Sequence, residues 1–261
     1  MVTGASQGIG KAIALAFGEL GANVVLNARS ESTLEEVGQI IDSTGQRVAI
    51  IAGDISRRTI PEVKEEKVTI SEAIPGPGDL MVAAAKERWQ RLDIVIHSAG
   101  DEANNLFMRQ TDEDWDKALA IKLTGARNIM KPAVSAMYRT KEGVLIGLSS
   151  VAVDRGNFGQ SAYSAANAAM EKMMESAQIE MVQMQRPDVR FTALRLGPVN
   201  AGMMLRLKES SPEHYQMLAD RMPNSELIPL ETVTDRVLEI ASGVNLQPSV
   251  IEKFYGGFSF G

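Results

Sequence analysis

Short apolar and β-branched runs alternate along the chain with stretches of helical period. The runs at 23–28, 47–52, 92–97, 143–148 and 189–196 have the length and composition of buried strands. Between them, apolar positions recur every three to four residues at 10–20, 32–43, 79–91, 111–139, 161–185 and 231–242. Gly21 suits the C-cap of the first of these helices, and Ser30 and Ser32 suit the N-terminus of the second. A strand followed by a helix returns to the sheet in parallel, with the helix covering one face. The pattern therefore predicts one doubly wound α/β domain over residues 1–261, a parallel sheet with helices on both faces.

Three stretches depart from the alternation. Only Met1 and Val2 precede the first glycine-rich turn, so the strand expected at the centre of the sheet is short. Residues 57–78, with Pro61, Pro75 and Pro77 and mixed charge, read as an inserted surface loop, a length that is usually either functional or disordered. Residues 197–229 leave the carboxyl end of a strand and carry Met203, Met204, Leu205, Leu207, Tyr215, Met217, Leu218 and Met222 at partly helical spacing. Methionine adapts to irregular shapes, so this connection reads as a lid over a fairly bulky apolar ligand, or as a helical hairpin packed on its own domain.

Composition narrows the partners. A chain of 261 residues buries roughly 70 to 75% of its unfolded surface without staples. The formal net charge is −6, with 27 basic residues scattered among 33 acidic ones, which leaves no positive stripe for nucleic acid. Cysteine is absent, which excludes disulfides, a thiolate nucleophile and a cysteine zinc site, and no metal site is expected. With no apolar run near the ~20 residues of a membrane span, and no leader-like start, the expectation is a cytoplasmic protein with no membrane partner.

The candidate chemistry begins at Thr3-Gly4-Ala5-Ser6-Gln7-Gly8-Ile9-Gly10, which follows a strand and opens a helix. Glycines there let a diphosphate approach backbone N–H groups at the helix N-terminus, so Gly4, Ser6, Gln7, Gly8, Ile9 and Gly10 are the expected nucleotide cradle. Gln7 supplies only neutral hydrogen bonds where a cation would have strengthened phosphate recognition. About 20 residues further on, where the adenosine ribose is read, the next strand ends in Asn27-Ala28-Arg29-Ser30. No carboxylate waits for a free 2′-hydroxyl, and Arg29 carries a guanidinium able to fork onto a 2′-phosphate. The preference is thus NADP(H), with NAD(H) as the lesser alternative.

With Asp54-Ile55, Ser98-Ala99-Gly100, Ser149-Ser150 and Tyr163 added in that order, the chain resembles the short-chain dehydrogenase/reductase family along essentially its whole length. The resemblance implies a Rossmann fold, a homodimer or homotetramer paired through 161–185 and 111–139, and a small-molecule substrate. It implies that Asp54 and Ile55 approach the adenine, that Ala99, Gly100, Gly197 and Val199 line the cofactor, and that Ser150 and Tyr163, 13 residues apart, handle the substrate oxygen. In that family a lysine four residues after the tyrosine and an asparagine on the preceding helix complete the site. Here those positions hold Asn167 and Lys122.

The expected chemistry is reduction of a carbonyl or oxidation of an alcohol, with Tyr163 as acid/base and Ser150 orienting the oxygen. An unperturbed phenol titrates near ~10, so a neighbouring cation is needed. Lys122 would provide it, and Asn167 would bond the nicotinamide ribose, a compensating exchange. Two readings stay open beside it: a nucleotide-binding or regulatory protein that has lost turnover, and a lyase or isomerase on the same scaffold. His97 replaces a sheet-stabilising asparagine of the family and is expected to be structural. After the sixth strand, Leu196-Gly197-Pro198-Val199-Asn200-Ala201 keeps the family's glycine without its proline and threonine.

Overall fold

The computed structural model describes residues 1–58, 60–61, 73–101, 105–220, 222, 226–244 and 249–255. The first half runs β1 (Val2–Thr3), α1 (Gly8–Glu19), β2 (Val24–Ala28), α2 (Glu31–Ile41), β3 (Val48–Ala52), β4 (Ile60–Pro61), β5 (Ala73–Ile74), α3 (Pro77–Trp89) and β6 (Ile94–His97). Then follow α4 (Asp112–Leu119), a π turn at Ala120–Thr124, α5 (Gly125–Thr140), β7 (Gly143–Ser150), α6 (Ser161–Gln183) and β8 (Val189–Leu196). The chain continues through α7 (Gly202–Ser210), α8 (Pro212–Ala219), α9 (Leu230–Ser242) and β9 (Ile251–Phe254). Seven strands form one parallel sheet in the order β3-β2-β1-β6-β7-β8-β9.

Both faces of the sheet are covered, as an all-parallel sheet requires. On one face α1, α2 and α9 bury Ile13, Leu34, Val37, Val237 and Ile240 against Leu26, Ile146 and Leu194. On the other, α3, α5 and α6 bury Met81, Ile129, Met137, Met170 and Met174 against Val25, Val95 and Leu145. Successive residues of one strand thus feed two cores.

The central strand β1 pairs on both sides. Val2 pairs with Leu26 and Ile96, and Thr3 with Asn27 and His97. Met1 extends the ladder, its amine donating to Ile94 O at 2.8 Å and its carbonyl accepting from Ile96 N at 2.8 Å. Burial brings that amine down to about 5. Beside it, at the amino end of the sheet, lies a cavity of about 270 Å³ bounded by Met1, Phe17, Ala22, Trp89 and Leu92.

Two expectations are corrected. The helix read over 111–139 is two helices joined by the π turn, a one-residue widening that leaves the apolar period outwardly intact. The insertion read at 57–78 is narrower: Pro77 and Gly78 are the first residues of α3, with the proline where its missing N–H costs nothing. The pairings Ile60↔Ile74 and Pro61↔Ala73 close the insertion's base, and 59 and 62–72 lie outside the described residues. The lid expected at 197–229 contains two helices, α7 and α8, and its ends are pinned where Asn200 N and Ile228 N donate to Ile228 O and Pro198 O.

Candidate active site

The carboxyl ends of β1, β2, β3, β6, β7 and β8 open into one cleft of about 670 Å³, at the point between β1 and β6 where strand order reverses. One side is the glycine-rich turn. Gly4 and Gly8 hold φ values of +66 and +55, and α1 starts at Gly8 with its first N–H groups unpaired by the helix. Gly10 must be glycine because a Cβ there would lie 2.3 Å from the Gly4 carbonyl. The turn is therefore a backbone-lined cradle at a helix N-terminus, which fits a diphosphate.

Beyond the turn, Arg29, Ser30 and Thr33 line the far end of the cleft, with Arg29 exposed. Asn27 ties that end together, donating to Ile51 O at 2.8 Å and Gly53 O at 3.1 Å. Asp54 also reaches the cleft and orders the turn after β3 by accepting from Ser56 N and Ser56 Oγ at 2.9 and 2.7 Å. Ile55, Ala99, Gly100, Gly197 and Val199 line the same cleft, as do Ser6, Gln7 and Ile9. No acidic side chain stands at the end of β2.

At the other end, Ser150 closes β7 and Tyr163 sits in the first turn of α6, both on the cleft wall. Ser150 Oγ accepts from Ala152 N at 3.2 Å, which leaves its own hydrogen for a ligand. Lys122 reaches the cleft from the π turn. Its Nζ donates to Leu148 O at 2.8 Å, and it stands 3.1 Å from where a Cβ on Gly100 would be. Only 6% of Lys122 is exposed, and burial lowers its ammonium to about 8, so it stays mostly charged at neutral pH.

Asn167 is the one expected site residue that the structure does not bring to the cleft wall. It is fully buried, and its Nδ2 folds back to donate to Tyr163 O at 2.8 Å in its own helix, a local bond that asparagine readily makes. Its Oδ1 has no hydrogen-bond partner. The lysine and asparagine positions are thus exchanged in sequence, but only the lysine faces the cleft.

His97 is structural. Its Nδ1 meets Thr3 Oγ1 at 3.1 Å, and that hydroxyl accepts from Ala99 N at 3.2 Å, so the hydroxyl proton points to Nδ1. Burial, and then the Lys122 charge, push the imidazole down to about 3, so it is neutral.

Sequence reasoning missed a buried network behind Ser150. Glu171, two turns after Tyr163 on α6, accepts from Ser149 Oγ at 2.5 Å and from Arg195 Nε at 2.9 Å. Arg195 also pairs with Asp154 at 2.5 Å, and Asp154 accepts from Tyr255 and pairs with Lys253 at 2.8 Å. An arginine inside the apolar run of β8 was the available signal, because a buried charge requires a partner. Ser149 and Arg195 face each other in the β7–β8 register, one residue from Ser150.

The substrate end is more polar than the methionine-rich connection suggests. Leu207 and Met222 turn inward and Leu205 turns to solvent, whereas Met204 lines the cleft. The side chains of Met203, Met217 and Leu218 lie outside the described residues. Val151, Asn157, Gln160 and Asp101 line the same cleft, with Asn157 Nδ2 donating to Gln160 Oε1 at 2.9 Å. Among the described residues no helix is long and apolar enough to cross a membrane.

Comparison with known proteins bears on the same cleft. Residues 1–212 match the family described as short chain dehydrogenase. The chain is 32% identical over 170 residues to a 3-oxoacyl-[acyl-carrier-protein] reductase of Synechocystis sp., a match covering 64% of this chain and 62% of that protein. It is 33% identical over 182 residues to 3-oxoacyl-[acyl-carrier-protein] reductase FabG of Staphylococcus aureus, covering 69% and 67%. FabG of Thermotoga maritima is 27% identical over 255 residues, covering 93% and 89%. A crystal structure from Brucella melitensis, titled short-chain dehydrogenase/reductase SDR:Glucose/ribitol dehydrogenase, superposes with a TM-score of 0.80 at 24% identity, covering 99% of this chain and 95% of that one.

Proposed function

Because the chain belongs to the short-chain dehydrogenase family of nicotinamide-dependent oxidoreductases, we propose that it interconverts a carbonyl and an alcohol on a small substrate, with NADP(H) preferred over NAD(H). The observation that carries this is the meeting of Tyr163, Ser150 and Lys122 on the wall of one cleft whose far end presents Arg29. The nicotinamide, when bound, supplies or takes up the hydride. The protein's part is to manage the oxygen. Ser150 Oγ, already accepting from Ala152 N, donates its hydrogen to the substrate oxygen, and the Tyr163 hydroxyl transfers its proton to that oxygen as charge develops. Lys122 acts through its charge, which favours the phenolate and draws the phenol toward working pH. Asn167 has no part in this scheme. The mixed wall of Met204, Val151, Asn157 and Gln160 supports a substrate with a polar group beside an apolar body. Exposed Ile179 and Val182 on α6 support a homo-oligomer through that helix.

The test is calorimetric titration with NADPH and NADH, followed by turnover against a panel of ketones and aldehydes. Tyr163→Phe is expected to keep NADPH binding within about twofold while losing at least about 100-fold in kcat, the scale of general acid catalysis. Undiminished turnover by that variant would remove Tyr163 from its role. Arg29→Ala is expected to erase most of the preference for NADPH over NADH, on the order of tenfold or more.

One observation favours a second reading, a nucleotide-binding protein without turnover. Lys122 directs a hydrogen bond to the Leu148 carbonyl and Asn167 directs its amide to its own helix, so neither donor is committed to a ligand. NADPH binding without turnover across the panel is the result that would support it.

A further inference from the structure

The glycine-rich turn has no cation of its own. Gln7, its exposed polar side chain, is neutral, and α1 contributes only the partial charge of a helix N-terminus, about half a unit. A diphosphate laid on that turn is doubly anionic and largely removed from water. Three cationic side chains reach the cleft: Arg29, Lys122 and Arg206. Arg29 stands at the end of β2, at the adenosine end, and Lys122 is buried at the opposite end with a bond to Leu148 O. Arg206 alone has no assignment in the proposed reaction.

The fold brings Arg206 over the turn. Helix α7 begins at Gly202, and a Cβ placed on Gly8 would lie 3.4 Å from the Gly202 Cα, so the two glycine backbones touch. Arg206 follows Gly202 by one helical turn and so lies on the same side of α7. It is exposed, and among the described residues it makes no ion pair. A guanidinium in that position faces an anion on the turn from across the cleft, with a planar fork suited to phosphate oxygens.

We infer that Arg206 is the diphosphate clamp of this site, the cation missing from the turn being supplied by the lid helix. The inference rests on the nucleotide reading proposed above. It divides the anionic recognition in two: Arg29 takes the 2′-phosphate, and Arg206 takes the diphosphate. It also couples the lid to the cofactor, because α7 gains a contact when the turn is filled.

The experiment is calorimetry on the full-length protein and on Arg206→Met and Arg29→Met, with three probes. NADPH carries both anionic groups, ADP-ribose carries only the diphosphate, and 2′-AMP carries only the 2′-phosphate. Arg206→Met is expected to weaken NADPH and ADP-ribose by on the order of 10- to 100-fold, the range of a charge-assisted bond, with 2′-AMP changed by less than about twofold. Arg29→Met is expected to reverse the pattern, and Arg206→Lys to recover part of the lost affinity because it keeps the charge without the fork. Arg206 is exposed, so the thermal midpoint of the variant should match the parent. Unchanged NADPH and ADP-ribose affinity in Arg206→Met would overturn the clamp while leaving the nucleotide reading intact. Equal losses for ADP-ribose and 2′-AMP would overturn its assignment to the diphosphate. No binding of any probe by the parent protein would overturn the nucleotide reading itself.

Discussion

Lys122 shows how one side chain trades stability for chemistry. Its ammonium titrates at about 8 in the folded protein against 10.5 ordinarily. Between those values the unfolded chain holds more protons than the folded one, so stability rises with pH across that window. Below pH 8 the buried charge costs roughly 3 kcal/mol at the usual ~1.4 kcal/mol per pH unit. Lys122→Met should therefore be more stable at pH 7 by about 1 to 2 kcal/mol, the orphaned Leu148 carbonyl offsetting part of the gain. Urea unfolding at pH 7 and pH 10 checks this, and the gain should shrink at the higher pH. In the parent protein carbonyl reduction should fall above about pH 8 as Lys122 deprotonates, and that limb should vanish in the variant's pH–rate profile. Arg195 works in the opposite sense. Removing it leaves Glu171, 2% exposed, as an unpaired buried carboxylate, so Arg195→Met should lose about 3 to 5 kcal/mol, and Arg195→Met/Glu171→Leu should recover most of it. Ser150, Tyr163 and Lys122 were expected at one site from residue type and spacing, and the three line one cleft. That Asn167 turns its amide to Tyr163 O was not legible, because a side chain's choice between ligand and local backbone is not written in spacing, and the Glu171–Arg195 pair joins residues too far apart in sequence to be read together.

Among the elements, the strand–turn–helix unit from β1 to α1 concentrates the most constraint. Gly10→Ala would drive a Cβ into the Gly4 carbonyl and push α1 off the turn. NADPH affinity should drop at least about 100-fold with a thermal midpoint several degrees lower, since overpacking of this kind costs about 1 to 3 kcal/mol; retained affinity would mean that the cradle is softer than its geometry indicates. Strands β2, β3, β6, β7 and β8 were legible from their apolar runs, with ends within two residues. Helix 111–139 was legible as helix but not as two, because a π turn adds one residue without breaking amphipathic character. Strand β9, Ile251–Phe254, was not recognised because Glu252 and Lys253 interrupt the apolar pattern, and Glu252 is buried only through its pair with Arg236.

At the scale of the molecule, the position of the cleft follows from the doubly wound arrangement, and a site beyond the carboxyl ends of the strands was expected. The empty space at the other end of the sheet was not, since voids arise from how neighbouring elements meet and leave no pattern in sequence. That cavity of about 270 Å³, between β1, β2, β6 and the helices α1 and α3, bears on how the protein responds to compression. It is open to solvent, so water already enters it in the native protein, and unfolding eliminates little unfilled volume there. High-pressure fluorescence of Trp89, which lines the pocket, should therefore report unfolding at closely similar pressures in the parent and in Ala22→Leu, so compression does not single out this end of the sheet.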